Sequence, residues 1–311
     1  MARRVIPRLL AACAALAAGL LRGADVAAQS VTPRTTPSNS AAETPSVTMT
    51  ASFLPGPWGV ITTVAGNGGF GFSGDAGPGT SASFRFPDGV AVDGGGNVLI
   101  ADTGNHRIRR VAAGTGVVTT VAGNGMRGFS GDGGPGTSAS LAYPSGVAVD
   151  SGGNMLIADS FNHRIRRVAA GTEVITTVAG NGTRGFSGDG GPGTSASLWG
   201  PQGVAVDGGG NVFIADSNND RIRRVAAGTG VITTVAGNGE EGFNGDGGPG
   251  TSASLWYPSG VAVDGRGNVY IADSGNSCIR RVAAGTGVIT TVAGNGTRGF
   301  SGDGGPARAR A

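Results

Sequence analysis

The sequence predicts an all-β fold, a β-propeller of four-stranded antiparallel blades, on three observations. The pentapeptide VAGNG begins at Val64, Val121, Val178, Val235 and Val292, a constant spacing of 57 residues. Each 57-residue unit carries four short apolar, β-branched or alternating segments bounded by Gly, Asp or Asn. The links between them, such as DSGGN, DSFNH and AAGTE, are tight enough only for antiparallel neighbours. One such sheet cannot bury both faces, so the units must stack on one another.

Taken from the N-terminus, residues 1–28 read as an export signal. Arg3, Arg4 and Arg8 precede an apolar stretch over 9–21 that is too short to span a bilayer, and Val26-Ala27-Ala28 offers small residues for cleavage. Beyond this segment the chain has nineteen basic residues, all arginine, and nineteen acidic ones. That balance gives no argument for nucleic acid. The expected location is periplasmic or extracellular, without membrane insertion. Cys278 is the only cysteine after the signal, so no intramolecular disulfide supports the fold. Residues 29–56 are rich in Ser, Thr and Pro and read as a disordered linker.

The propeller is expected over 57–306, with 307–311 as a tail. A lone fourth strand is expected at 60–65, followed by complete blades at 87–123, 144–180, 201–237 and 258–294. In the second blade the strands fall at 146–149, 155–158, 164–168 and 174–179. Behind each fourth strand the glycines spell G-x-G-x-x-G, as at Gly180, Gly182 and Gly185. In a dinucleotide site this turn opens a helix. Here FSGDGGPGTSASL follows, and Gly and Pro cost about 1 and 3 kcal/mol in a helix interior. The pattern is turn chemistry, repeated five times.

The stretch PDGVAVDGGGNVLIADTGNHRIRRV (87–111) and its copies resemble NHL repeats, and the inserts GNGTRGFSGDGGPGTSASL resemble the exported, glycine-rich bacterial branch with a teneurin-like pattern. The resemblance implies a β-propeller, commonly of six blades. A six-bladed ring opening on a fourth strand would take that blade's other three strands from the C-terminus, whereas this pattern stops at Ala307. The expectation is a propeller incomplete relative to six blades: a four-bladed ring with a spare strand, or an open arc whose uncovered faces self-associate.

In a meander the 2→3 links and the long 4→1 links share one end of the strands. Those links hold most differences between copies and the aromatic residues Tyr143, Trp199, Trp256 and Tyr257. Asp88, Ser145, Gln202 and Ser259 stand beside them at the mouth of the channel. With His106 and His163 in the 2→3 links, these form the candidate binding residues, because exposed Tyr and Trp are common interface anchors. The competing reading is that the aromatics fill gaps between blades. His106, His163, Asp220 and Ser277 hold one repeat position, and stacked sheets about 10 Å apart cannot bring such positions within zinc-ligand reach of about 2 Å. No metal is expected there.

Asp93, Asp150, Asp207 and Asp264 in the 1→2 turns, and Asp102, Asp159, Asp216 and Asp273 at the ends of second strands, read as caps of backbone N–H groups. Asp75, Asp132, Asp189, Asp246 and Asp303 of the GDGG and GDAG loops are the one set that could hold calcium, although the nine-residue calcium pattern is absent. The RIRRV arginines are expected to pair with aspartates at the blade surface. No catalytic constellation is recognisable, so no cofactor is assigned. The function expected is an exported binding or scaffold protein that takes an extracellular protein or glycan. The alternatives are a lyase or hydrolase at the channel mouth and a truncated gene product without function.

Overall fold

The computed structural model describes residues 61–303 and residue 307. The expected signal and linker lie outside these residues. Four antiparallel sheets of four strands follow one another, each with its strands side by side in chain order. Blade one holds β1 (Pro87–Val92), β2 (Val98–Asp102), β3 (Arg107–Val111) and β4 (Val118–Ala122). Blade two holds β5 (Pro144–Val149), β6 (Met155–Asp159), β7 (Arg164–Val168) and β8 (Ile175–Ala179). Blade three holds β9 (Val204–Val206), β10 (Val212–Asp216), β11 (Arg221–Val225) and β12 (Ile232–Ala236). Blade four holds β13 (Pro258–Val263), β14 (Val269–Asp273), β15 (Cys278–Val282) and β16 (Ile289–Ala293). The chain is a four-bladed β-propeller, with no α-helix among the described residues.

First strands are innermost, and they pack in succession: β1 on β5, β5 on β9, β9 on β13. Their glycines make this approach. A Cβ on Gly146 would lie 2.3 Å from the carbonyl oxygen of Gln202 in the next blade. Turns between first and second strands close as the sequence requires. Asp93 Oδ1 accepts the N–H groups of Gly95 and Asn97, and Asp150, Asp207 and Asp264 do the same for their turns.

Three apolar cores lie between successive blades. Leu99, Ala101, Ile108 and Ala122 of blade one meet Leu141, Val147 and Ile157 on the blade-two side, and the pattern recurs between blades two and three and between three and four. A fourth cluster, built on Phe84, Val111 and Val118, covers part of the outward face of blade one and belongs to no second blade. No core joins blade four to blade one among the described residues.

Two expectations need correction. Residues 61–65 form no strand, and Ile61 and Val64 are exposed. Their blade has no other strands, so nothing offers a ladder to pair with. The third-strand arginines, expected at the surface, are split by position. Arg109, Arg166, Arg223 and Arg280 are wholly buried, each lying between two aspartates. One carboxylate comes from the preceding glycine-rich insert, as in Arg109 Nη2 to Asp75 Oδ1 at 2.7 Å; the other ends the second strand, as in Arg166 Nη1 to Asp159 Oδ2 at 3.3 Å. The insert is thus clamped onto the blade that follows it.

Candidate binding face

The 2→3 and 4→1 links do share one end of the strands. Each 2→3 link is a single 3-10 turn (Thr103–Asn105, Ser160–Asn162, Ser217–Asn219, Ser274–Asn276) that closes on a left-handed residue: His106, His163, Asp220 or Ser277. Asp and His tolerate that conformation better than most side chains. The second-strand aspartate holds the turn by accepting from the Asn side chain and from a backbone N–H of the 4→1 link. The capping role is present, and it is shared with the buried arginine.

His106 and His163 do not converge. His106 Nδ1 accepts the N–H of Tyr143 at 3.2 Å, and His163 Nδ1 accepts the N–H of Gly200 at 3.1 Å. Asp220 Oδ1 takes the N–H of Tyr257 at 2.7 Å in the same manner. These residues latch each blade to the next. Burial, with Arg127 beside His106 and Arg184 beside His163, pushes both imidazoles below their ordinary pKa. The neutral ring is the form that accepts at Nδ1. The latched residues Tyr143, Gly200 and Tyr257 are themselves left-handed, as is Phe86 at the same repeat position before blade one.

Around these latches the aromatic residues gather partners that sequence reasoning missed. Tyr143 packs edge-on against His106 at 4.6 Å and at a tilt against Phe161 at 4.7 Å, beneath the Arg127 guanidinium. Arg184 lies 4.0 Å over the Trp199 ring. Arg127 and Arg184 share one repeat position, where blade four's insert carries Glu241. The signal was present in the variable GMRG, GTRG and GEEG segments. Trp256 and Tyr257 are 42% and 38% exposed. The Trp256 indole lies over Gly275, where any Cβ would meet the ring, while blade two places Phe161 opposite the small Ala142.

The polar candidates divide. Ser145 is buried, bonded to Ser160 Oγ and donating to the Gln202 carbonyl. Ser259 pairs with Ser274 in the same way, and Gln202 Nε2 donates to Tyr257 Oη. Asp88 is half-buried at the start of β1, away from the Trp256–Tyr257 pair in the chain's blade order. The structure therefore joins Gln202 to Tyr257, with the exposed Trp256 next to Tyr257 in the chain, and turns Ser145, His106 and His163 into inter-blade contacts. Four of the five calcium candidates are engaged: Asp75 Oδ1 faces Arg109 and its Oδ2 accepts from Thr120, with the same set at Asp132 and Asp189, and Asp246 pairs with Arg280 and accepts the Thr291 N–H. A carboxylate neutralised by a buried guanidinium is a poor cation ligand. Among the described residues no group of three or more His, Cys, Asp or Glu could hold a metal ion.

The NHL repeat family matches at residues 84–111, 141–168, 198–224 and 255–282, one match per blade. The chain belongs to the NHL-repeat propellers. It is 30% identical over 248 residues to NHL repeat-containing protein 2 of Homo sapiens, covering 70% of this chain and 34% of that one. It is 28% identical over 234 residues to Teneurin-1 of Mus musculus, covering 68% of this chain and 8% of that one. The NHL chain spans about a third or less of these relatives' length. Among solved structures, an auxiliary nutrient binding protein from Bacteroides ovatus superposes with a TM-score of 0.50 at 20% identity, over 66% of this chain and 50% of that one. That likeness bears on the fold alone. NHL propellers of this build are consistent with a binding or scaffold role. No helix among the described residues is long and apolar enough to cross a membrane.

Proposed function

We propose that this NHL propeller is an exported, non-enzymatic binding or scaffold protein, and that its ligand, an extracellular protein or glycan, docks on the face made by the 2→3 and 4→1 links. The observation that carries this reading is the exposed Trp256-Tyr257 pair, whose tyrosine is bonded by Gln202. Trp256 and Tyr257, neighbours in the chain, are both exposed, and the insert that supplies arginine over Tyr143 and Trp199 supplies Glu241 here. Tyr and Trp of this kind dominate binding energy where a partner covers them. The buried triads beneath hold the platform rigid, which limits the ordering cost of binding.

The test is a panel of immobilised glycans and secreted proteins probed with the chain and with Trp256→Ala and Tyr257→Ala. The expected result is a ligand whose affinity falls at least tenfold in both variants, with melting temperatures close to that of the parent chain. Binding that survives both substitutions would place the ligand elsewhere.

A further inference from the structure

The two ends of the blade series present opposite halves of the interface that the chain already builds three times inside itself. In each internal interface the leading blade offers an Ala from its second strand, an Ile from its third and an Ala from its fourth. Ala101, Ile108 and Ala122, and their counterparts in blades two and three, are fully buried there. Blade four carries the same residues as Ala272, Ile279 and Ala293, and all three are only partly covered. The following blade offers a Val from its first strand, buried at Val147, Val204 and Val261. Its blade-one counterpart, Val90, is 45% exposed, and Val92 beyond it is 63% exposed.

The polar contacts repeat the pattern. Thr103, Ser160 and Ser217 are buried and donate to the carbonyls of Pro144, Pro201 and Pro258 in the next blade, each at 2.6 Å. Their fourth counterpart, Ser274, is exposed, and so is Pro87, the first member of the proline set. A donor at the end of blade four and an acceptor at the start of blade one thus match in chemistry and in repeat position.

From this we infer that a second copy of this chain docks head to tail, its blade one seated on blade four in the manner of an internal interface. The occupant is another copy because the two uncovered surfaces complement each other residue for residue, and the three internal interfaces already show what that complement looks like when it closes. The contact is heterologous: each copy uses its blade-four face once and its blade-one face once. This surface lies at the ends of the blade series, so the inference does not depend on the binding face proposed above.

Two substitutions at exposed or half-covered positions block one end each: Val92→Arg at the blade-one face and Tyr270→Arg at the blade-four face. The full chain and both variants are compared by sedimentation equilibrium, with a melting curve on each to show that they fold. The expected result is a parent chain whose mass rises with concentration above that of one chain, and two variants that each stay at one chain. Mixed in equal amounts, the variants should form a species of twice the single-chain mass, because each retains the end that the other lacks. A parent chain that remains single at every concentration would overturn the inference, since the faces are then covered by the chain itself or by nothing. Association that persists in both variants would overturn it too, because another surface is then responsible. Folded variants whose mixture shows no pairing would overturn the head-to-tail arrangement.

Discussion

Arg223 Nη2 stands 2.7 Å from Asp189 Oδ1, with the guanidinium wholly buried and the carboxylate about one third exposed. The same arginine reaches Asp216 at 3.4 Å on its other side, and that carboxylate is fully buried. One side chain therefore ties a glycine-rich insert, a second strand and a third strand together. Removing a partner from a buried pair leaves an uncompensated charge and costs about 3–5 kcal/mol. Arg223→Met should lower the unfolding free energy by that amount in urea titration. Asp189→Asn should cost less, because water reaches that carboxylate.

The latch histidines make stability depend on pH. Both imidazoles have folded pKa values below the ordinary 6.5, so the unfolded chain takes up protons first as pH falls. Their contribution is complete above pH 6.5 and is lost as pH drops through the lower folded values. An imidazolium cannot accept the Tyr143 or Gly200 N–H. The double variant His106→Asp, His163→Asp copies blade three's own Asp220, which stays an acceptor. Compared at pH 7.5 and 5.5, the parent chain should lose more melting temperature than the double variant; equal losses would deny the histidines this role.

Burial pulls the second-strand aspartates the other way. Asp159, Asp216 and Asp273 are each raised to about 6 by desolvation, against the lowering effect of their hydrogen bonds and arginines. A folded pKa above the unfolded one means a contribution that is present below about pH 3.8 and lost as pH rises through 6. Measured against Asp216→Asn, the parent chain should gain relative stability from pH 7 toward pH 4. A difference that is flat or grows with pH would show that the arginine, not burial, governs this carboxyl.

Blades two and four fill one site in opposite ways. The Phe161 N–H donates to the Ala142 carbonyl in one, and the Gly275 N–H donates to the Trp256 carbonyl beneath the indole in the other. Gly275→Phe alone should clash with the indole and destabilise the chain by about 1–3 kcal/mol. Adding Trp256→Ala should recover most of that loss by rebuilding the blade-two arrangement. A double-mutant cycle on denaturant midpoints reads the coupling, expected within about 0.5–3 kcal/mol.

The blades were legible because strand periodicity and turn residues are local. The ends of β6 at Met155 and Asp159 and of β7 at Arg164 and Val168 fall within a residue of the pattern in the chain. The shared end of the 2→3 and 4→1 links followed from meander geometry alone. What sequence could not give was the third dimension of the insert. Strand alternation puts Arg109 and Arg110 on opposite faces, but nothing local tells that Arg109 is the wholly buried one; that is set by Asp75, thirty-four residues earlier. The pairing of His106 with the Tyr143 backbone likewise spans two blades. The residues at 61–65 match a strand in composition, yet a strand exists only where a neighbour supplies its ladder.

Since every arginine clamp reaches back no further than thirty-six residues, to its own insert, the self-contained unit opens at the glycine-rich turn and closes on the fourth strand. Duplication or loss of a segment cut at that turn would carry each clamp intact into its new setting. A cut at the first inner strand would part an aspartate from its arginine and strand a buried charge. Growth and shrinkage of such an array are thereby channelled through one kind of breakpoint, and chain lengths differing by whole multiples of the repeat are the ones this architecture can inherit.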